Sequence, residues 1–163
     1  PPYQIRNTNI FALNALTGSV IWDEELMDEV RATCAVMDGY LYAGVDTGHV
    51  FHKLNAATGE PVDDFTLPAG NYFVGSAALT TSGLAYVGND NGNFYALRQS
   101  DMEPVASYFT EYYYNYDNEY TSVCSSPAIT YSAGDGARWV FVVSRGDNGR
   151  EDGYGTLYAF RTE

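Results

Sequence analysis

Asn93-Phe-Tyr-Ala-Leu-Arg98 is one of four similar segments in this chain, and their recurrence decides the fold. The other three are Asn9-Ile-Phe-Ala-Leu-Asn14, Val50-Phe-His-Lys-Leu-Asn55 and Thr156-Leu-Tyr-Ala-Phe-Arg161. The first three copies end about 40 residues apart, and about 20 additional residues precede the last copy. A unit of this length, repeated along the chain, predicts a β-propeller in which each copy belongs to one blade.

Short apolar runs alternate with turn residues inside each unit. In the second unit we expect strands at 33–37, 40–44, 50–54 and 61–67, and in the third at 77–80, 84–88, 93–97 and 105–110. The turns between them contain Asp-Gly, Asn-Gly or Thr-Gly pairs, which supply the positive φ angles of tight hairpins. Each whole unit is therefore predicted to be a four-stranded antiparallel blade.

The two ends of the chain hold only parts of blades. We assign 1–26 to the last two strands of a blade, 27–67 and 68–110 to whole blades, 111–124 to a Tyr-rich insertion, and 125–163 to the first three strands of a blade. The prediction is an all-β chain, 1–163 being a single β-propeller segment with about three blades' worth of strands in an incomplete ring. Because exposed edge strands pair readily with other chains, we expect flanking sequence or another chain to complete the propeller.

The charge of the chain limits its partners. It carries 21 acidic against 8 basic side chains, a net charge of −13, and Lys53 is the only lysine. Such a chain repels phosphate backbones and anionic headgroups, so nucleic acid and membrane surfaces are poor partners. No apolar run is long enough to span a bilayer. The favoured interpretation is that acidity keeps a repetitive β protein soluble, with cationic partners or divalent ions as alternatives.

Two cysteines, Cys34 and Cys124, are too few for a disulfide framework. Both lie in or just before the first strand of different units. This placement favours two free thiols over a single bridge.

Ala12-x-Asn14-x-x-Thr17-Gly18-x-x-x-Trp22 resembles the tryptophan-docking motif of propellers built from pyrroloquinoline-quinone-type repeats. In that motif the Thr-Gly pair turns the third strand into the fourth, and the Trp stacks between neighbouring blades. Segments 42–48 and 125–129 also resemble that family's patterns. The resemblance implies a quinoprotein-like β-propeller in an extracytoplasmic location. The family includes quinone-dependent alcohol dehydrogenases and a non-catalytic lipoprotein of outer-membrane β-barrel assembly.

Several residues depart from the motif. Lys53 and Asp63 replace the Ala and the Trp in the second unit, and Met102 and Ala106 replace the Gly and the Trp in the third. The family's quinone enzymes also use adjacent cysteines, a pair that this sequence lacks. We therefore expect no catalytic or cofactor-binding residue here, and a non-catalytic binding or assembly module. The alternative is a segment of a quinone-dependent alcohol dehydrogenase whose pyrroloquinoline quinone residues lie outside this chain.

Candidate metal ligands are few. Three residues separate His49 from His52, which on a strand directs them to opposite faces and disfavours a shared metal. The loop at 147–152 offers ligand types that calcium prefers, in Asp147, Asn148, Glu151 and Asp152. Because Arg150 lies among them and the spacing is not that of an EF-hand, a solvated hairpin tip is favoured over a calcium site. Arg145-Gly146-Asp147 matches an adhesion tripeptide that occurs often by chance.

The insertion before the last unit is rich in tyrosine. Its candidate partner-binding residues are Tyr112, Tyr113, Tyr114, Tyr116 and Tyr120. Tyrosine combines a large contact area with a polar tip, which suits recognition of a protein or glycan partner, or of a neighbouring subunit. The equally weighted alternative is that these rings cover the side or an edge strand of the propeller.

Overall fold

The computed structural model of the protein describes residues 9–26, 29–46, 48–67, 72–110, 122–131, 138–145 and 155–162. These residues form thirteen β-strands and no helix. This part of the chain therefore contains no helix that could cross a membrane. The all-β prediction is confirmed.

The strands form four antiparallel sheets, which we call blades 1 to 4 in chain order. Blade 1 contains β1 (Asn9–Leu13) and β2 (Val20–Glu25). Blade 2 contains β3 (Ala35–Met37), β4 (Tyr40–Gly44), β5 (Val50–Asn55) and β6 (Pro61–Thr66). Blade 3 contains β7 (Ala78–Leu79), β8 (Leu84–Gly88), β9 (Asn93–Arg98) and β10 (Pro104–Phe109). Blade 4 contains β11 (Ala128–Tyr131), β12 (Arg138–Ser144) and β13 (Thr156–Thr162).

Within each blade the strands are neighbours in sequence order, which is the meander that the turn residues predict. The first hairpin of blade 2 turns at Asp38 and Gly39, whose φ angles of 50° and 81° are those of a tight primed turn. The first strands are shorter than expected: β3 begins at Ala35 rather than at residue 33, and β7 contains two residues. The β3–β4 ladder contains three residue pairs and the β7–β8 ladder two, whereas the edge strands β6 and β10 are six residues long.

The same backbone contact joins blade 2 to blade 3 and blade 3 to blade 4. Phe73 N–H donates to the Val45 carbonyl (3.2 Å), and Val123 N–H donates in the same way to the Asn89 carbonyl (2.8 Å). In each case a residue of the incoming connector bonds to the residue just after the second strand of the preceding blade. The contact repeats because the units are equivalent, and it fixes the spacing of the blades at one end of their strands.

One apolar cluster fills each junction between consecutive blades. Side chains on the facing sides of two blades pack together and are removed from water. We call these the first, second and third junctions, between blades 1 and 2, 2 and 3, and 3 and 4. Their fully buried members include Leu54 and Val45 at the first, Phe51, Phe73, Val87 and Leu97 at the second, and Val123, Val140 and Val142 at the third.

The ring of blades is open. In the described part of the chain, β1 pairs only with β2, and β13 pairs only with β12. Apolar side chains are exposed at both ends of the series: Phe11 is 52% exposed on β1, and Leu157 is 63% exposed on β13. The predicted incomplete ring of four-stranded blades is confirmed.

Candidate functional site

The first junction is closed by Trp22. Ala12 and Trp22 are directly opposite each other on β1 and β2, and the small Ala12 side chain leaves room for the indole ring on the face toward blade 2. The indole Nε1 donates to the Ala56 carbonyl (3.2 Å), in the turn between β5 and β6. A Cβ atom on Gly59 of that turn would lie 2.6 Å from Trp22 Cε3. Gly59 therefore provides both the positive φ of 81° and the space for the ring.

The turn that precedes Trp22 is held by the other residues of the motif. The Asn14 side-chain oxygen accepts from the N–H groups of Leu16 (2.9 Å) and Thr17 (3.0 Å). Gly18 N–H donates to the Asn14 carbonyl (2.7 Å), and Gly18 has a φ of 71°. These bonds make a compact turn that delivers Trp22 to the fourth strand at the correct register.

The second junction uses a lysine instead. Lys53 takes the register position of Ala12 and is 5% exposed. Its Nζ donates to the Gln99 carbonyl of blade 3 (2.5 Å) and lies 4.3 Å from the centroid of the Tyr40 ring. Gln99 has in blade 3 the position that Ala56 has in blade 2. Ala56 N–H donates to the Gly39 carbonyl, and Gln99 N–H donates to the carbonyl of the equivalent turn residue, Gly83. The carbonyl acceptor and the aromatic face both interact favourably with the buried ammonium.

Met102 of blade 3 lies at the second junction, at the position that Gly59 has at the first. It has a φ of 54° and is 1% exposed, so its side chain fills the volume that the Trp22 ring occupies at the first junction. Asp63, opposite Lys53 on β6, stands at the register position of Trp22. The two departures of the second unit from the motif thus belong to one alternative junction.

The third junction has neither group. Ala96 and Ala106 are directly opposite each other on β9 and β10, at the positions of Ala12 and Trp22. A cleft of about 340 Å³ lies over them, and its lining is mostly apolar. The aromatic side chains that line it are Tyr86, Phe94, Tyr108 and Phe160. Ala106 was visible in the sequence as a departure from the motif, but the cleft itself was not expected.

At the opposite end of the strands, two long connections begin and end close together. The Tyr-rich segment leaves blade 3 after Thr110, whose N–H and hydroxyl both donate to the Gly92 carbonyl (2.8 and 2.9 Å). It re-enters at Ser122, whose carbonyl accepts from Arg145 N–H (2.7 Å), at the start of the β12–β13 hairpin. The candidate partner residues (Tyr112, Tyr113, Tyr114, Tyr116, Tyr120) and calcium ligands (Asp147, Asn148, Glu151, Asp152) lie outside the described residues.

The histidines have separate partners. His49, which precedes β5, stacks on Tyr72 with ring centroids 5.8 Å apart. His52 Nδ1 lies 2.7 Å from an Asp64 carboxylate oxygen on the neighbouring strand. Among the described residues, no three His, Cys, Asp or Glu side chains come together as a metal-binding group.

The segments that connect one blade to the next lie at one end of the strands, which we call the connector end. Several titratable groups near this end are partly buried. Burial raises the pKa of the Cys34 and Cys124 thiols, and the structure has both as free cysteines. A raised pKa keeps a thiol protonated at neutral pH and lowers its nucleophilicity. Burial also raises the pKa of Asp90, whose carboxylate accepts from Tyr72 N–H (2.6 Å). The surroundings of these groups are those of packed residues. Among the described residues, no nucleophile lies beside a base and an orienting group.

Comparisons with solved structures agree with this architecture. BamB from Moraxella catarrhalis matches with a TM-score of 0.69 and 15% identity over 85% of this chain and 44% of that chain. Quinohemoprotein alcohol dehydrogenase ADHIIG from Pseudomonas putida HK5 matches with a TM-score of 0.65 and 17% identity over 84% of this chain and 26% of that chain. The computationally designed Ika4 protein matches with a TM-score of 0.61 and 16% identity over 93% of this chain and 79% of that chain.

No protein-family model matches the chain, and no curated protein matches it. The chain spans less than half the length of BamB and about a quarter of the dehydrogenase. The chain has the β-propeller fold of these structures, and the resemblance in the sequence is confirmed at the level of the fold.

Proposed function

We propose that this chain is part of a non-catalytic, extracytoplasmic propeller that binds a protein or glycan partner through the loops at the connector end of its strands. The observation that carries the proposal is the hydrogen bond between Arg145 N–H and the Ser122 carbonyl (2.7 Å). It holds the end of the Tyr-rich segment beside the start of the acidic β12–β13 hairpin. Aromatic area and carboxylates would then form one surface, which suits recognition of a polar or basic partner.

The residues at the blade junctions support a binding module. The positions that depart from the repeat motif, Lys53, Met102 and Ala106, are explained by packing between blades or by a cleft there. None of them requires a reaction. The similarity to BamB supports the same proposal at the level of fold, whereas the net charge of −13 and the quinoprotein-like resemblance support an extracytoplasmic location.

The alternative function is that of a segment of a quinone-dependent alcohol dehydrogenase, which the similarity to such dehydrogenases favours. In that case quinone and calcium would be held mainly by residues outside this chain, since the described residues bring no metal-binding group together. The quinone would supply the oxidation of an alcohol, and the described residues of this chain would contribute the scaffold.

The partner surface is tested by replacing Tyr112, Tyr113, Tyr114 and Tyr116 with serine. Binding is first found on a glycan array and among purified extracytoplasmic proteins, and the hit is then titrated with wild type and variant. We expect affinity to fall at least tenfold with the melting temperature unchanged, because the rings contact the partner. Tyr131→Ser is the control, since Tyr131 is 66% exposed and is the last residue of β11, at the end of that strand away from the connector end. Loss of stability in the four-serine variant would show that the rings belong to the core.

The two functions are separated by a dye-reduction assay with alcohols on the natural full-length polypeptide, after addition of pyrroloquinoline quinone and Ca²⁺, because the alternative places the quinone residues outside this chain. The binding-module proposal expects no turnover above the protein-free background and no new visible absorbance. Turnover that depends on both additions would establish the dehydrogenase alternative.

A further inference from the structure

The outer strands of blades 1, 2 and 3 differ in charge. By register, β2, β6 and β10 are equivalent, and each forms the outer edge of its own blade whatever blades lie beside it. β2 carries Asp23, Glu24 and Glu25, and β6 carries Asp63 and Asp64. β10 has no charged residue. Because charged side chains on an edge strand discourage another strand from pairing with it, two of these edges are protected and β10 is not.

The ladders show which backbone groups face away from the blade. Leu67 N–H donates to the His49 carbonyl and Thr110 N–H to the Gly92 carbonyl, each just before the third strand of its blade (2.8 Å in both). In an antiparallel pair, successive residues of a strand bond alternately to its two sides. Asp64 and Ser107 each lie three residues earlier. Their N–H and C=O groups therefore point outward from the edges of blades 2 and 3.

The outward donor is satisfied within β6 but not within β10. Asp64 N–H donates to a carboxylate oxygen of Asp63 (2.9 Å). Ala106 has in β10 the position that Asp63 has in β6, and its methyl group cannot accept a hydrogen bond. Ser107 is exposed, so its backbone donor and acceptor face solvent. The edge of blade 3 therefore differs from that of blade 2 both in charge and in its backbone.

Charge indicates what kind of strand fits this edge. The chain has a net charge of −13, and its only lysine, Lys53, is buried. Glu103 is exposed directly before β10, at the end of the strand away from the connector end. A segment that carries Lys or Arg beside an uncharged stretch complements both features. A second copy of the chain would bring another strongly negative surface to the edge, so self-pairing is disfavoured.

We propose that β10 is the attachment edge for an extended, basic segment of a partner protein, which adds a fifth strand to blade 3. The added strand exchanges backbone hydrogen bonds with Ser107, and its apolar side chains contact the exposed Val105. Its basic residues lie toward Glu103. This edge is distinct from the loops of the proposed partner surface at the connector end, so either contact can be lost without the other.

The test begins with selection of binders from a display library of random linear peptides on the natural full-length polypeptide. The selected peptides are synthesised and titrated, with amide chemical shifts as the readout. We expect basic peptides with alternating β-branched residues and shifts concentrated on β10. Methylation of alternate peptide N–H groups should weaken binding at least about tenfold, because those groups donate to β10. Binding should also weaken as salt is raised.

Three results would overturn the proposal: selected peptides without a net positive charge, shifts that avoid β10, or equal binding of the methylated peptides.

Variants locate the added strand. Ser107→Pro removes the outward N–H without removing a ladder bond to β9, and should weaken peptide binding at least about tenfold at an unchanged melting temperature. Ser107→Lys keeps the backbone and repels a basic strand, so it should also weaken binding. If Ser107→Pro lowers the melting temperature, Ser107→Lys alone decides. Val62→Lys makes the same change of charge on an exposed residue of β6 and is the matched control.

Unchanged binding in Ser107→Lys, or an equal loss in Val62→Lys, would overturn the assignment to β10.

Two further measurements separate this edge from other contacts. Light scattering of the polypeptide alone tests a second copy as the occupant, and a concentration-dependent dimer that Ser107→Pro abolishes would overturn the proposal. The variant with serine at Tyr112, Tyr113, Tyr114 and Tyr116 should bind the selected peptides as wild type does. An equal loss in that variant would place the peptides on the proposed partner surface and overturn the attachment edge.

Discussion

The first and second junctions place different donors on the same acceptor. At the first, an indole N–H from the fourth strand bonds to the Ala56 carbonyl, and at the second an ammonium from the third strand bonds to the equivalent Gln99 carbonyl. Trp22 and Lys53 come from opposite members of one cross-strand pair, as the registers of β1–β2 and β5–β6 show. The comparison teaches that the repeat conserves the place of the contact, while either strand can supply the group that fills it.

The two solutions differ in energy because they differ in what they bury. The indole ring adds a large apolar area and one neutral hydrogen bond. The lysine adds a charged hydrogen bond and a contact with the Tyr40 ring, but its ammonium loses most of its hydration on burial. We therefore expect the Trp22 junction to contribute more to the free energy of unfolding than the Lys53 junction.

The largest effect is expected for Trp22→Ala. It removes the ring from between the blades and leaves a cavity, and should lower the free energy of unfolding by about 3–5 kcal/mol. Chemical denaturation measures the change. Ile21→Ala, on the same strand with a side chain 62% exposed, is the control and should cost much less. A loss below about 1 kcal/mol would mean that Trp22 does not hold the blades together.

The next effect concerns the turn that receives the ring. Gly59 and Gly39 share a φ of 81°, but a Cβ on Gly39 would meet nothing within 4 Å, whereas on Gly59 it would meet Trp22. Gly39→Ala should cost about 1–2 kcal/mol for the backbone alone, and Gly59→Ala at least about 1 kcal/mol more. In a Trp22→Ala background this excess should vanish, which a double-mutant cycle measures. A persistent excess would assign the cost to something other than the ring.

Lys53→Met should have a smaller effect. It keeps most of the side-chain volume and removes the ammonium, so a lost charged hydrogen bond is partly offset by the relieved desolvation, with a net loss of about 1–2 kcal/mol. Arg98→Met, which removes an exposed ion pair with Asp101, is the control and should cost less than about 1 kcal/mol. If Lys53→Met proves more damaging than Trp22→Ala, the order of the two junctions is reversed.

The smallest effect distinguishes the connector ends of the junctions. Asp46 pairs with Arg31 (2.8 Å), whereas the equivalent Asp90 has its pKa raised by burial. A carboxyl with a raised folded pKa favours the folded state at low pH, and this advantage is lost as pH rises through that pKa. Asp90→Asn should therefore raise stability at neutral pH by less than about 0.5 kcal/mol, and the gain should disappear in acid.

Asp46→Asn is the contrasting variant, because it removes the partner of Arg31 and should lower stability at neutral pH. Thermal melts of both variants across the pH range check these signs. A gain from Asp90→Asn that persisted in acid would show that its carboxyl titrates alike in the folded and unfolded chain.

The local sequence was enough to predict the sheets. The four recurring segments and the turns at Asp38-Gly39 and Ala57-Thr58-Gly59 predict strands whose bounds differ from the observed ones by one or two residues. These signals are local, since a turn residue with positive φ acts through its own backbone. The shortening of β3 and β7 was not predictable in this way, because it depends on how far the ladder with the second strand extends, which the local residues do not show.

The candidate site was less predictable. The motif spacing indicates a Trp22 that stacks between blades, and the structure places its ring against Ala56 and Gly59. Lys53 and Ala106 could be read only as departures from the motif. Whether a departure means a replacement donor or an open cleft depends on which side chains of the next blade face it, and those lie about 40 residues away.

By itself the sequence determined the period, the strand order within a blade and the charge that limits the partners, because these follow from local backbone preference and composition. Only the tertiary structure decided what fills each junction. Indole and ammonium become equivalent solutions only when a second blade brings a carbonyl oxygen opposite the same cross-strand pair. Packing between blades is a property of two surfaces, and neither surface is complete within one repeat.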